Sequence, residues 1–271
     1  MMHISVMVAT CRPRGFQLPL QALLAQTRLP NEVIWVADGV ELEEAFGDAE
    51  AFAPAGRLPS RFVKPDVTPR LYGPSVALNV GLDVAQGDLL LVLADRSWVG
   101  PDWVKAHALY HEIGLPVCLV SGGKVLHEED VGPVNEACSC PAVWMPFDRA
   151  ASRFGQAAFP PTIGDLGTAQ LVTYSSLSLS LRLMREIGGW DERFAGGHGS
   201  DDVYLALQAH ARSGLPPLVT MDPRLISHRL KTAPGGTELG RELVRTSEDN
   251  LALLRKLVAE ELHQPAWRAK R

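Results

Sequence analysis

Three short, near-continuous apolar runs constrain this chain more than any other feature: Ile4–Ala9, Glu32–Ala37 and Leu89–Leu93. They are rich in Val, Ile and Leu, and polar or turn residues end them. A strand wetted on one face alternates apolar and polar residues, whereas an uninterrupted run is covered on both faces, as in a parallel sheet. Between the first two runs, Phe16–Gln26 predicts a helix that stops before Pro30. Between the second and third, Pro74–Gln86 places Val76, Ala77, Val80 and Val84 at helical spacing, with Gly87 as the stop. Strand–helix–strand repetition of this kind means crossover units and a doubly wound α/β sheet.

Beyond Leu93 the pattern predicts a helix from Pro101 to His111, with proline at its favoured first position, and a strand over Val117–Ser121. Residues 128–168 are irregular and carry several prolines and isolated aromatics, among them Trp144, Phe147 and Phe154. A connection this long inside a compact domain usually has a function. Regularity returns with an extended Tyr174–Ser180, and Ser180 is placed to cap a helix over Leu181–Ile187 that Gly188-Gly189 ends. A helix over Asp201–Arg212 stops at Gly214, a strand follows at Leu218–Met221, and Thr237 to Leu262 is an amphipathic helix. The expected organisation is one domain over residues 1–236, with a nucleotide-binding half at 1–125 and an acceptor and catalytic half at 126–236, followed by a helical extension at 237–271.

Composition narrows the function. With 26 basic and 31 acidic residues the net charge is −5, which does not suit a nucleic-acid binder. The four cysteines include Cys138 and Cys140, one residue apart, which is not a zinc-site spacing. So few cysteines fit a reducing compartment, Ile4–Ala9 is too short for a secretory signal, and no apolar run reaches the ~20 residues that span a bilayer. The expected location is the cytoplasm. The basic residues Arg255, Lys256, Arg268, Lys270 and Arg271 read as a solvated tail, with peripheral membrane contact or a homodimer as the other readings.

A dehydrogenase sheet needs a glycine-rich turn after its first strand. This chain has Thr10-Cys11-Arg12-Pro13-Arg14-Gly15 there, and it has no P-loop. A nucleotidyltransferase would need a glycine- and lysine-rich first loop, which Thr10–Gly15 also lacks. Three groups of segments point elsewhere. The first joins Ile4–Arg12 to Val33-Ile34-Trp35-Val36-Ala37-Asp38-Gly39. The second is Ser75-Val76-Ala77-Leu78-Asn79-Val80-Gly81-Leu82, Ala85–Asp88, Leu91-Val92-Leu93-Ala94-Asp95 and Pro101-Asp102-Trp103-Val104. The third is Gly188-Gly189-Trp190-Asp191-Glu192-Arg193-Phe194 followed by Gly199-Ser200-Asp201-Asp202-Val203-Tyr204-Leu205-Ala206-Leu207. In order and spacing these resemble glycosyltransferase family 2, over about residues 3–125 and 172–230.

The resemblance implies the GT-A fold: a Rossmann-like, mostly parallel sheet with helices on both faces and an acceptor-side extension. It implies an inverting, hexosyltransferase-like enzyme that moves a sugar from a UDP-, GDP- or dTDP-linked donor to a saccharide or lipid-linked acceptor. Thr10, Arg12 and Asp38 match the positions that hold base and ribose. Asn79 matches the family's Ala-Arg-Asn-x-Gly segment, with Leu78 in place of the basic residue; a helix polar group bonded to nearby backbone is the other reading. The family's metal-binding Asp-x-Asp is reduced here to Ala94-Asp95-Arg96. Asp95 is therefore the candidate ligand for Mn²⁺ or Mg²⁺, with His228 as a second, since such cations prefer hard ligands.

Asp202 matches the family's general base, and Asp201 the acidic residue that helps hold the acceptor. An acceptor hydroxyl must lose its proton as it attacks the anomeric carbon, and a positioned carboxylate takes it. Acidic residues in a helix's first turn are also favoured by the helix dipole alone, by ~0.3–1 kcal/mol each. Trp190 reads either as a platform for an acceptor sugar or as core. Residues 128–168 read as acceptor side or lid. The alternative from a different class is a degenerate GT-A domain that binds nucleotide or glycan without catalysis, which the loss at Ala94 favours and Asp201-Asp202 opposes.

Overall fold

The three apolar runs lie side by side. In the computed structural model, strand β1 (Ile4–Thr10) pairs in parallel with β2 (Glu32–Ala37) on one side and β4 (Leu89–Leu93) on the other. The structure describes residues 1–47, 53–66, 74–113, 118–121, 123–126, 176–196, 199–215, 218–220, 222, 224–230 and 238–262. Residues 128–168, and Arg268, Lys270 and Arg271, lie outside them.

The remaining elements are α1 (Gln17–Leu24), α2 (Leu42–Phe46), β3 (Ser60–Val63), α3 (Pro74–Val84), β5 (Ser97–Val99), α4 (Trp103–Glu112), β6 (Cys118–Ser121), β7 (Gly123–Leu126), β8 (Ser176–Ser180), α5 (Leu181–Ile187), α6 (Asp201–Ser213), β9 (Leu218–Thr220), β10 (Ser227–Leu230) and α7 (Glu238–Leu257). Short 3₁₀ turns occupy Ala53–Arg57 and Glu192–Phe194, and a π turn over Val258–Leu262 continues α7. The main sheet has the order β3-β2-β1-β4-β8-β6-β9, and a second sheet has the order β5-β10-β7. Among the described strands of the main sheet, only β8 runs against its neighbours, pairing antiparallel with β4 and β6.

Side-chain alternation divides the core between the two faces of the main sheet, as period-two geometry requires. Val6, Val8, Val33, Trp35, Leu89 and Leu91 belong to one buried cluster with Phe16 and Leu20, beside or on α1, and Trp103 of α4. Met7, Ile34, Val36, Leu90 and Val92 belong to the other, with Ala77 and Leu82 of α3, Met184 of α5 and Leu205 of α6. Phe16, Trp35 and Phe46 meet with ring centroids 5.0–5.1 Å apart in tilted or edge-on contacts, the geometry aromatic quadrupoles favour.

Helix α4 starts at Trp103 rather than at Pro101, and its N-terminus is satisfied from outside. The Gln26 carboxamide accepts a bond from Val104 N (3.0 Å) and donates to the carbonyls of Gly100 (2.7 Å) and Ala22 (2.9 Å). A buried polar network then ties α4 to β8. Trp103 Nε1 donates to Ser176 Oγ (2.8 Å), His107 contacts both Ser176 and Ser178, and His111 reaches Ser178 (2.9 Å). Burial pushes His107 well below the ordinary imidazole range and His111 down to about 4, so both are neutral at pH 7. Among the described residues, no helix is long and apolar enough to cross a membrane.

Candidate active site at the carboxyl edge of the sheet

The chain proceeds from β1 outward to β2 and β3, then returns to place β4 on the other side of β1. That reversal is a topological switch point, and open α/β sheets bind ligands outside their strand ends at such a point. Thr10 closes β1 there, and Asp95 stands two residues beyond β4. The two are joined: Thr10 Oγ1 donates to Asp95 Oδ2 (2.9 Å) and accepts from Arg12 N (3.2 Å). Arg12 Nε lies 3.8 Å from the same Asp95 oxygen. Thr10, Arg12 and Asp95 thus form one cluster. Gly15 packs so close to Thr10 that a Cβ there would collide with the hydroxyl. Asp38, buried at the end of β2, donates its backbone N–H to the Thr10 carbonyl (2.8 Å), which sets it beside this cluster.

Three non-glycine residues have positive φ among the described residues: Arg14 (58°), Arg96 (52°) and Ser200 (73°). All three sit in loops that carry candidate site residues. Such backbones cost on the order of 1–3 kcal/mol and persist where the surroundings over-determine them. Arg96 is held by its N–H donating to the Gly15 carbonyl (2.8 Å), which links the β4 loop to the β1 loop.

The second half of the site begins with α3. As the crossover between parallel strands β3 and β4, it runs against them and starts at the carboxyl edge. Ser75, in its first turn, donates from Oγ to Asp201 Oδ2 (3.0 Å), so α3 and α6 begin side by side. Asp201 is buried. Asp202 is half-buried and accepts a bond from Val203 N at Oδ1 (2.8 Å). Desolvation first, then the charge of neighbouring Asp201, raises the Asp202 carboxyl to about 8. Ser200 occupies the cap position of α6, but its side chain makes no capping bond there.

Asn79 makes long-range backbone bonds. Its Nδ2 donates to the Trp190 carbonyl (2.9 Å) and to Glu192 Oε1 (2.9 Å), while Oδ1 accepts from Trp190 N (2.9 Å). Gly189 abuts this amide at φ +83°, where a Cβ would strike Asn79 Oδ1. Asn79→Ala strips both backbone groups of Trp190 at a partly buried site. We expect a loss of roughly 1–3 kcal/mol for each unsatisfied group, read by urea unfolding, and no change in nucleotide affinity beyond that of the folded fraction. A weakened affinity in fully folded protein would instead place Asn79 on the nucleotide.

The Trp190 ring is 1% exposed and lies in the core cluster of α3, α5 and α6, which is the packing arrangement. His228 is buried on β10, its Cα opposite Trp98 of β5, and β5 starts two residues after Asp95. Asp95 and His228 thus lie on adjoining segments. Asp95 is engaged by Thr10 and Arg12, and among the described residues no group of three or more His, Cys, Asp or Glu side chains could hold an ion.

Contacts from α7 were not visible in the sequence pattern. Asn250, buried on α7, donates from Nδ2 to the carbonyls of Phe194 (3.2 Å) and Gly199 (2.9 Å). Glu261 accepts from Arg193 (2.6 and 3.0 Å) and from the Tyr204 hydroxyl (2.6 Å). No periodicity signals a polar side chain that bonds backbone more than fifty residues away.

No family model matches the sequence, and no curated protein matches it. Solved structures do match. A residue 1–349 form of S. aureus TarS in complex with UDP-GlcNAc superposes with a TM-score of 0.65 at 15% identity, over 97% of this chain and 68% of that one. The mannosyltransferase PcManGT from Pyrobaculum calidifontis, in complex with GDP-Man and Mn²⁺, gives 0.59 at 15% identity over 99% and 69%. GalNAc-T7 with UDP, GalNAc and Mn²⁺ gives 0.57 at 13% identity over 92% and 48%. The expected architecture is therefore met: the chain has the GT-A fold of these glycosyltransferases.

Proposed function

We propose that this chain is an inverting glycosyltransferase of the family 2 kind. It takes a nucleoside diphosphate sugar as donor and a saccharide or lipid-linked saccharide as acceptor. The observation that carries the reading is the pairing of two clusters at one edge of a GT-A sheet: Thr10, Arg12, Asp38 and Asp95 at the switch point, and Asp201-Asp202 opening α6 beside the start of α3. The first cluster holds the nucleotide, and Arg12 brings positive charge to it. In the second, Asp202 takes the proton of the acceptor hydroxyl as its oxygen bonds to the anomeric carbon and the bond to the diphosphate breaks. A carboxyl raised to about 8 suits that task, because a base works best with a pKa near the working pH. Asp95 and His228, on adjoining segments, would be the residues to contact a divalent cation, which would supply positive charge to the leaving diphosphate.

The test is thermal shift against a panel of nucleoside diphosphates and their sugars, with and without Mn²⁺. A ligand bound only by the folded state raises Tm, by about 2.7 kcal/mol of added stability at a hundredfold excess over Kd. The expected result is a rise with one nucleotide base, lost in Asp38→Ala and Asp95→Ala. A rise that needs Mn²⁺ supports the Asp95/His228 contact, and an equal rise without it removes the cation from donor binding. No rise with any nucleotide, in protein shown to be folded, overturns the reading.

A further inference from the structure

The segment between the 3₁₀ turn Glu192–Phe194 and α6 ends at Ser200, in a left-handed backbone that serine does not favour, and the next two residues are Asp201 and Asp202. Gly196, Gly199 and Ser200 all have positive φ there, backbone that only glycine adopts without strain. Contacts to the described ends of this segment come from α7 and the π turn that continues it, in two places. A single nitrogen, Nδ2 of Asn250, bonds the carbonyls of Phe194 and Gly199 and so ties together the two ends of the turn. Glu261 spans the same turn from further out. It receives Arg193 from the near side and the Tyr204 hydroxyl, one helical turn into α6, from the far side. Apolar packing supports both, since Leu254 and Leu257 of α7 share a buried cluster with Phe194, Val203 and Tyr204.

We propose that the C-terminal helix α7 is part of the catalytic apparatus: Asn250 and Glu261 are positioning residues that fix the turn before α6 and thereby the aim and environment of Asp202. The proposal rests on the general-base reading of Asp202. Asn250 fixes the distance between the ends of the turn, and Glu261 fixes the rotation of α6 relative to the 3₁₀ turn. Residues 237–271 are then no appendage to the transferase domain, and a domain cut before α7 lacks a working site.

The experiment compares Asn250→Ala, Glu261→Gln and Asp202→Asn with the parent, in the full chain. It measures Tm, nucleotide affinity, and kcat and KM across pH 5–9. A misplacement on the order of 1 Å costs about 100-fold in rate. Asn250→Ala and Glu261→Gln are expected to lower kcat by roughly 10- to 100-fold and to leave the nucleotide Kd within about twofold, an order-of-magnitude bound on an unaltered donor site. Loosening the turn also admits water to Asp202, so the rising limb of the pH profile moves to lower pH. A merely structural prop would lower Tm and leave kcat per folded molecule and the pH profile where they were; that result overturns the proposal. Glu261→Gln keeps an acceptor for Tyr204, so a folded variant remains if Asn250→Ala does not fold. If Asp202→Asn retains full transfer, it is the general-base reading that falls, and the positioning role with it.

Discussion

Asp202→Asn is expected to reduce transfer by about 10²–10⁴-fold, the usual worth of a general base, and to make the protein more stable. The second effect follows from the raised carboxyl. The Asp202 carboxyl is raised from 3.8 to about 8, chiefly by desolvation and then by Asp201. A carboxyl with a raised pKa in the folded state destabilises that state above its unfolded value, because the unfolded chain releases the proton and the folded chain keeps it. The cost is absent below about pH 4 and grows up to about pH 8, at a limiting slope of about 1.4 kcal/mol per pH unit. Asparagine is the neutral isostere, and its Oδ1 still accepts from Val203 N, so it relieves this cost without breaking the bond. Tm of Asp202→Asn should exceed that of the parent by a margin that widens from pH 4 to pH 8. In the parent, kcat/KM should climb with pH and level off near 8; because Asp201 is coupled to it, the apparent value belongs to the pair. A variant that keeps transfer, or a margin that narrows as pH rises, contradicts this account.

Trp190→Ala should be the most damaging single change to stability among the candidate site residues, at about 3–5 kcal/mol for truncating a buried indole. The ring is 1% exposed, in the cluster that joins α3, α5 and α6. Removing it leaves a void where the two helices that carry Ser75 and Asp201 pack. At roughly 2–4 °C per kcal/mol for a chain of this size, Tm falls on the order of 10 °C. Trp190→Phe keeps most of the apolar volume and should lose less. In folded protein its KM for acceptor should match the parent. A selective rise in acceptor KM with Tm unchanged would return the ring to the acceptor side.

Elements buried on both faces were legible in the sequence, and those exposed or defined by partners were not. The runs at Glu32–Ala37 and Leu89–Leu93 are the observed strands to the residue, because parallel strands covered by helices leave a continuous apolar signature. Strand β3 is partly exposed and carries Arg61, and β5 is three residues long, so neither has a signature to read. Glycine stops were also legible: Gly188 and Gly214 end α5 and α6 in the left-handed conformation that favours glycine. The candidate site residues came from order and spacing, which give positions but not contacts. That Asn79 clips Trp190, that Thr10 and Arg12 share Asp95, and that Asn250 reaches back to Gly199 depend on loops meeting in space.

Strand β8 lies between β4 and β6 and runs against both. During synthesis β1, β2, β3 and β4 emerge in sequence with all their mutual partners, so this half of the sheet can assemble early. The outer edge of β4 and the facing edge of β6 then wait for β8, which follows both in the chain. For that interval the nascent chain exposes these two facing strand edges unpaired, the template on which chains aggregate. Residues 176–180 therefore act as a keystone in time as well as in space, and slow translation before them is where this protein would most need a chaperone.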